Sequence, residues 1–188
     1  MPSTLKDHYQ KDIRPKLKDE LKLSSIEAVP KLSKITINTS SADFRTDKDF
    51  LAKTKEWLAV ITGQQPQETK ARLSIAGFNV REGDIVGLKV TLHGDKMYDF
   101  YQKLVSLVLP RLKDFQGVSR SHFDQQGNFT LGFPEQIIFP EIEYDKIGRI
   151  QGLEVTITTS APDKQQALAL LQALGMPFAK QEEEEKAK

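Results

Sequence analysis

The sequence predicts an α+β fold in two layers, with a mainly antiparallel sheet and helices packed on one of its faces. Segments of alternating apolar and polar residues recur along the chain, which is typical of strands with one buried face and one solvent face. Between them lie segments with an apolar residue every three or four positions, which predict amphipathic helices. No repeat and no Pro/Ser-rich linker divides the 188 residues, a length that fits one domain.

Five segments predict the strands of this sheet. The alternation is strict over residues 34–38 and 153–158, and it is partial over 85–92. Weaker patterns predict two further strands over 67–72 and 128–133. Because alternation leaves only one face of a strand apolar, we expect helices to cover one side of the sheet and leave the other side open.

The two ends of the chain differ from its centre. Apolar residues four apart predict a helix over 4–22, in which Pro15 should produce a kink or begin a second short helix. We therefore expect one domain over 1–180, made of an N-terminal helical extension (1–30) and an α+β body (31–180). The run of Glu after residue 180 predicts a disordered acidic tail over 181–188.

Three further helices have recognisable end signals. The first is expected to begin after Asp47, a good N-cap residue, and to end at Gly63. The second would be capped by Asp95 and ended by Pro110. The third is expected over 162–175, because it begins with a proline, which suits a first turn, and ends with a glycine.

Several classes of chemistry are absent from the sequence. Without cysteine, the chain has no disulfide, no zinc–thiolate site and no thiol nucleophile. His8, His93 and His122 are far apart, and none has the spacing of a metal-ligand motif. Neither a glycine-rich phosphate-binding motif nor a nucleophile elbow is present. We therefore expect no enzymatic activity, no cofactor and no metal.

Hydropathy bears on the location of the protein. Uninterrupted apolar runs such as 58–61 and 107–109 are far shorter than the roughly 18 residues that a spanning helix needs. The first residues form no apolar segment of the kind found in secretory signals. We expect a protein of the cytoplasm, or of an organelle matrix, with no membrane partner.

The charge balance favours no particular partner. The chain has 27 Lys and Arg against 26 Asp and Glu, a net charge of +1. Its last eight residues hold four Glu and two Lys, so this tail carries −2 and the remaining 180 residues carry +3. Strong nucleic-acid binders usually have a larger basic excess, and the simplest interpretation of the charge alone is a solvated mixed surface.

Two loops stand out between the predicted elements. Residues 74–83 contain Gly77 and Gly83 with Phe78 between them, and they follow Lys70 and Arg72. Glycine freedom and a flat aromatic face suit contact with RNA or with a partner protein. An ordinary hairpin with its aromatic ring folded into the core is the alternative. The polar segment 115–128 could equally be a plain connector.

Several strings of residues, in order and with consistent spacing, identify a family. The strings are Val29-Pro-Lys-Leu32, Lys34-Ile-Thr-Ile-Asn38, Ser74-Ile-Ala-Gly-Phe78, Arg81-Glu-Gly83, Lys89-Val-Thr-Leu92, Met97-Tyr98, Leu109-Pro-Arg111, Asp114-Phe115, Gly127-Asn-Phe-Thr-Leu-Gly132, Phe139-Pro-Glu-Ile142, Tyr144-Asp-Lys146 and Leu174-Gly-Met-Pro-Phe178. Through them, from Tyr9 to Phe178, the chain resembles the bacterial L5 (uL5) family of large-subunit ribosomal proteins.

The resemblance implies a structural role in which 5S rRNA is bound and held in the central protuberance of the large subunit. The implied 5S rRNA-binding residues are Asn38, Thr39, Ser40, Thr91 and His93. Small hydroxyl and amide groups can reach phosphates, ribose 2′-hydroxyls and minor-groove edges. Residues such as Asn and Thr also favour strand ends for purely structural reasons, so that interpretation stays open.

The resemblance also implies a loop close to the P-site tRNA, over residues 70–83. Its implied contact residues are Lys70, Arg72, Ser74, Ile75, Ala76, Gly77, Phe78 and Arg81. Further implied partners are 23S rRNA, neighbouring central-protuberance proteins and a head protein of the small subunit. The bridge to that head protein is expected around Arg111 to Asp114 and Asp145 to Arg149.

Some positions depart from the family pattern. Thr39-Ser40 stands where Met-Gly is typical, and His93 stands where Arg is typical. Gln65, Leu73 and Gln116 occupy positions that are usually basic. Each lost cation removes a phosphate contact and part of the salt-dependent binding energy. A protein–protein adaptor with the same fold and reduced RNA binding is therefore the alternative function.

Overall fold

A computed structural model describes residues 4–113, 115–143 and 149–179 of the chain. Five strands form one sheet in the order β2-β3-β1-β5-β4. Their bounds are Leu32–Ser40 (β1), Gln67–Lys70 (β2), Ile85–Leu92 (β3), Phe129–Phe133 (β4) and Leu153–Thr159 (β5). Each predicted strand is therefore present within a few residues of its expected position. The α+β class and the antiparallel sheet with helices packed on it are confirmed.

Within the described ranges the α-helices are Thr4–His8 (α1), Arg14–Glu20 (α2), Lys48–Thr62 (α3), Gly94–Lys103 (α4) and Lys164–Ala173 (α5). The caps of α3 are as predicted. The Asp47 carboxylate accepts a hydrogen bond from the Phe50 amide at 2.9 Å. Gly63 ends the helix with a φ of 63°, a left-handed conformation that costs glycine little.

Two predicted helix starts are wrong by one or two residues. α4 follows His93, which takes the N-cap position, and Asp95 lies inside the first turn. The Asp95 carboxylate instead accepts a hydrogen bond from the Lys6 ammonium at 2.6 Å. α5 begins after Asp163, whose carboxylate accepts from the Gln166 amide at 2.8 Å. A short polar side chain that can bond the first-turn amides decides that start, and the proline lies outside the helix.

Two prolines lie just after widened π-helical turns. Tyr9–Ile13 is π-helical and precedes Pro15, and Leu104–Val108 is π-helical and precedes Pro110. Proline has no amide hydrogen, and its ring crowds the carbonyl four residues earlier, so the preceding turn widens. Pro15 thus lies at the start of a second short helix, one of the two outcomes expected. Pro110 does not end the helix predicted after Asp95, which continues as a 3₁₀ turn to Arg111.

The chain divides into two compact units. One contains residues 1–35, 92–131 and 156–188, and the other, called here the central unit, contains 36–91 and 132–155. Four of the five strands contribute residues to both units. The predicted single domain with a helical extension stays a prediction, and the predicted tail over 181–188 lies outside the described residues.

Each unit has its own apolar core. In the first unit, Tyr101, Leu104 and Phe129 are fully buried, and the ring centroid of Phe129 lies 4.6 Å from that of Phe123. The core residues of the central unit include Phe44, Ile37, Leu58, Leu88 and Phe139. Among the residues that the structure describes, no helix is both long and apolar enough to cross a bilayer.

Candidate nucleic-acid interface

The end of strand β1 has two chemically different faces. Ile35, Ile37 and Thr39 are buried, whereas Asn38 is half-buried and Ser40 is exposed. Side chains alternate across a strand, so the implied RNA-binding residues of β1 divide between its two sides. Asn38 and Ser40 lie on the open side, and Thr39 lies on the core side.

The position of Gly87 in β3 shows which residues of neighbouring strands share the open side. A Cβ atom at Gly87 would lie 2.8 Å from the Thr69 hydroxyl oxygen and 3.5 Å from the Ser40 Cβ. The pairing of Gln67 with Lys89, and of Thr69 with Gly87, extends this side across β2. We call this surface the open face; it consists of Thr36, Asn38, Ser40, Gln67, Thr69, Gly87, Lys89 and Thr91.

Most side chains of the open face are hydroxyls and amides. Lys89 supplies its one positive charge. On β5, Glu154 takes the exposed position between two buried residues. The surface can therefore donate and accept many hydrogen bonds but carries little net charge. The sequence could have placed Thr36, Gln67, Thr69 and Lys89 on this face, because they occupy the polar positions of the alternating strand pattern.

Thr39 has an internal role. Its hydroxyl donates to the Gly152 carbonyl oxygen at 2.7 Å and accepts from the Gln151 side-chain amide at 3.2 Å. The same amide nitrogen donates to the Ser40 carbonyl oxygen at 2.8 Å. Thr39 thus fixes the end of β1 to the segment that leads into β5. Its hydroxyl is occupied on the core side and does not face the open side.

Thr91 and His93 are placed differently from each other. Thr91 belongs to the central unit and, two residues after Lys89 in β3, lies on the open side of the strand. Its carbonyl oxygen accepts from the Gln64 side-chain amide at 3.2 Å. His93 belongs to the first unit and is exposed. The His93 Nδ1 atom lies 3.2 Å from the Ser33 carbonyl oxygen.

The 70–83 loop is a hairpin with an exposed apolar tip. Its backbone pairs at Ile75 and Val80, with an Ile75 amide to Val80 carbonyl distance of 2.8 Å. A 3₁₀ turn over Ala76–Phe78 forms the tip. The side chains of Leu73 and Phe78 are each 73% exposed. The structure therefore excludes the alternative in which Phe78 folds into the core.

Some of the predicted contact residues of the loop form hydrogen bonds that hold the loop together. The Ser74 hydroxyl accepts from the Glu82 amide at 2.9 Å, which ties the two sides of the loop together. The Asp84 carboxylate accepts from the Arg81 amide at 2.8 Å. The charged side chains of Lys70, Arg72 and Arg81 are exposed. The 70–83 loop thus presents three cations and an apolar tip to solvent.

The expected bridge region is described only in part. Arg111 is exposed, and Arg149 pairs with Asp43 at 2.7 Å and with Asp47 at 3.6 Å. Asp114 and residues 145–148 lie outside the described residues. Within the described ranges, no group of three or more His, Cys, Asp or Glu side chains is arranged to hold a metal ion.

Two family models match the chain in succession. The model described as "Ribosomal protein L5" matches residues 25–81, and the model described as "ribosomal L5P family C-terminus" matches 85–178. The large ribosomal subunit protein uL5 of Chloroflexus aurantiacus is 51% identical over 178 residues, which are 95% of this chain and 99% of that protein. The chain belongs to the ribosomal protein L5 family.

Two lactobacillar relatives agree with this assignment. The uL5 proteins of Limosilactobacillus reuteri and Limosilactobacillus fermentum are each 49% identical over 180 residues, 96% of this chain and all of theirs. The predicted resemblance is confirmed. L5 proteins are structural constituents of the ribosome, so the predictions of a non-enzymatic protein and of a ribosomal location, cytoplasmic in bacteria, are confirmed as well.

The boundary between the two L5 family models coincides with a structural boundary. The first model ends at Arg81 and the second begins at Ile85, the first residue of β3. The 70–83 loop therefore lies at the end of the N-terminal part of the L5 sequence. The open face draws β1 and β2 from that part and β3 from the C-terminal part.

Proposed function

We propose that this chain binds 5S rRNA through the open face and thereby helps to attach it in the central protuberance of the large subunit. The 70–83 loop contacts the P-site tRNA, and the region of Arg111 and Arg149 bridges to a small-subunit head protein. Contacts with 23S rRNA and neighbouring central-protuberance proteins complete the docking. The observation that carries the proposal is the open face, a row of hydroxyl and amide side chains beside one lysine.

The composition of the open face suits the minor groove of an RNA duplex. That groove is wide and shallow and displays 2′-hydroxyls, which Thr and Asn side chains can both donate to and accept from. Proteins that bind single-stranded RNA stack its bases on exposed aromatic rings. The described residues of the open face include no aromatic side chain. Shape and ribose contacts therefore account for binding better than base stacking does.

Substitutions on the open face test the 5S rRNA contact. Asn38→Ala and Thr91→Val each remove one hydrogen-bonding group, so each should weaken 5S rRNA binding about fivefold, the equivalent of about 1 kcal/mol. Thr46→Val is the matched control, because Thr46 is exposed but lies outside the sheet. Filter binding measures the three affinities. Unchanged affinity in both open-face variants would show that another surface binds the RNA.

The salt dependence and RNA preference of binding separate 5S rRNA recognition from the adaptor alternative. Lys89→Ala should weaken binding of 5S rRNA and control RNA alike and reduce the slope of log K against log[salt] by about one. The wild-type protein should still prefer 5S rRNA over a control RNA of equal length. Absence of that preference would contradict 5S rRNA recognition and favour the adaptor.

The 70–83 loop is tested by a different readout. Replacing Arg72 and Arg81 with Gln should leave 5S rRNA affinity unchanged, because neither residue lies on the open face. Protection of the P-site tRNA backbone in ribosomes assembled with this variant should decrease. If the double variant lost 5S rRNA binding instead, the division of labour between loop and open face would be wrong.

Two observations favour the adaptor alternative as a second candidate. The exposed loop residues Leu73 and Phe78 are apolar, and a chain of net charge +1 attracts RNA only weakly from a distance. A Phe78→Ser variant distinguishes the two functions. If this variant lost a contact between the loop and a neighbouring protein while protection of the P-site tRNA stayed unchanged, the adaptor would be supported.

A further inference from the structure

Arg45 lies at the end of a 3₁₀ helix, Ala42–Arg45, outside the 70–83 loop. Its guanidinium group reaches the tip of that loop, more than thirty residues away in sequence. One terminal nitrogen, Nη1, donates to the Asn79 carbonyl oxygen, and the other, Nη2, donates to the Phe78 carbonyl oxygen at 3.4 Å. The Arg45 side chain itself is only 19% exposed, although the loop carbonyls that it binds belong to exposed residues.

The geometry of the tip follows from these two bonds. The Phe78 and Asn79 carbonyl groups point towards Arg45, while the Phe78 ring points into solvent. Asn79 has a φ of 49°, a left-handed conformation that turns the chain sharply at this position. Two successive carbonyls held by one planar group fix the orientation of the turn, and with it the direction of the exposed ring.

A carboxylate links the same arginine to the base of the loop. The Asp84 Oδ2 atom lies 3.8 Å from Arg45 Nη1 and accepts a hydrogen bond from the Arg81 amide at 2.8 Å. The guanidinium group is also held by the 3₁₀ helix from which it extends, since its Nε donates to the Ala42 carbonyl oxygen at 3.4 Å. Arg45 therefore contacts both the tip and, through Asp84, the returning side of the loop.

We propose that Arg45 is a positioning residue that holds the 70–83 loop and sets the direction in which its apolar tip and its cations are presented. The identity of the ligand as tRNA rests on the proposed function, whereas the positioning itself does not. Arginine suits this task because its rigid fork can bind two carbonyls at once. A lysine ammonium at the same place could satisfy only part of the arrangement.

Hydrogen exchange of the free, full-length protein tests the positioning role. In Arg45→Met the amides of Ile75 and Val80, which pair with each other, should exchange about tenfold faster, the factor that corresponds to about 1.4 kcal/mol. Amides within α3 should be unchanged, and Arg45→Lys should give an intermediate rate. Lys48→Met is the matched control, because it removes one exposed cation near the same 3₁₀ helix.

Unchanged loop exchange in Arg45→Met would overturn the proposal, since the Ile75–Val80 pairing would then hold the loop by itself. If Arg45→Met destabilises the whole protein, Arg45→Lys decides, because it retains the charge and the alkyl stem. For each amide, the rate in Arg45→Lys is compared with the rate in the wild type. If this ratio were no larger in the loop than in α3, the proposal would equally be overturned.

Ribosomes assembled with Arg45→Met separate this proposal from the proposed function. Faster loop exchange together with weaker P-site tRNA protection supports both. Faster loop exchange with tRNA protection unchanged supports the positioning role and contradicts the tRNA contact.

Discussion

Gly87 is the position of the open face where the surrounding packing leaves no room for a side chain. A Cβ atom there would lie 2.8 Å from the Thr69 hydroxyl oxygen and 2.9 Å from the Thr39 carbonyl oxygen. Backbone atoms of a central strand cannot move aside cheaply, because their ladder hydrogen bonds hold them. The absence of a side chain at this position therefore lets β1, β2 and β3 approach each other without strain.

Substitution of this glycine should destabilise the protein. Gly87→Ala is expected to lower the free energy of unfolding by about 1–3 kcal/mol through overpacking. Gly132→Ala on β4 is the control, because a Cβ atom there meets nothing within 4 Å. Urea denaturation measures both variants. Equal stability of the two alanine variants would contradict the steric argument.

The buried Tyr9 phenol should make stability sensitive to alkaline pH. Its hydroxyl donates to the Pro30 carbonyl oxygen at 2.8 Å, and burial, aided by the nearby Tyr98, raises the pKa of Tyr9 to about 12. The ordinary pKa is about 10, so the neutral phenol stabilises the fold below pH 10. This stabilisation is lost as the pH rises from 10 through 12.

The comparison with Tyr9→Phe isolates this effect from the titration of lysines. At pH 8 the wild type should be more stable than the variant by about 1 kcal/mol, because of the hydrogen bond to Pro30. Between pH 10 and pH 12 that advantage should shrink. Urea denaturation across this range measures the difference, and a constant difference would show that Tyr9 ionises equally easily in both states.

Helix α3 begins with a side-chain cap whose contribution can be tested separately from the packing of the helix. Its exposed side has several polar and charged residues, but its start is defined by the hydrogen bond between the Asp47 carboxylate and the Phe50 amide. The same carboxylate is 3.6 Å from Arg149, a pair that is partly exposed and hence weak. The cap therefore supplies most of what Asp47 contributes.

Removal of this cap should cost measurable stability. Asp47→Ala is expected to lower the free energy of unfolding by about 1 kcal/mol. Asp49→Ala is the control, since Asp49 is an exposed acidic residue in the first turn that does not cap the helix, and its loss should cost about 0.3 kcal/mol. Thermal denaturation compares them. A larger loss at Asp49 would mean that charge, not capping, stabilises the start of α3.

For the molecule as a whole, net charge is expected to affect the rate of association with RNA. The acidic tail carries −2, so its removal raises the net charge from +1 to +3. Long-range attraction affects association rates more than the final contacts do, and it is screened by salt.

Deletion of residues 181–188 should therefore speed association with 5S rRNA at low salt, by less than about tenfold, and leave dissociation unchanged. Stopped-flow measurements at low salt and at about 0.5 M salt, where screening is nearly complete, test this expectation. A variant with Glu182 and Glu183 replaced by Gln is the control, since it also raises the charge by two while keeping the length of the chain. A difference that persists at high salt would indicate that the tail acts by direct contact.

Much of the fold follows from local patterns. Strands β1, β3 and β5 were predictable because apolar residues at every second position indicate a strand that is covered on one side. The cap of α3 was predictable because Asp47 and Gly63 suit only a few backbone positions. The starts of α4 and α5 were not, since a nearby residue can compete for the capping position and Asp95 is held by Lys6 instead.

The candidate site was predictable only in part. Asn38 and Thr91 were identified through the family resemblance, and alternation along β1 already separates Asn38 from Thr39. The internal bond of Thr39 to the Gly152 carbonyl was not visible, because it joins residues 113 positions apart.

By itself the sequence determined the class of the fold, the family and the polar phase of each strand, because these depend on residues a few positions apart or on strings that relatives share. Only the tertiary structure decided that Phe78 faces solvent, that Gly87 must lack a side chain and that Arg45 reaches the loop carbonyls. Those features depend on which distant segments become neighbours when strands pair out of chain order, and that choice leaves no periodic trace in the sequence.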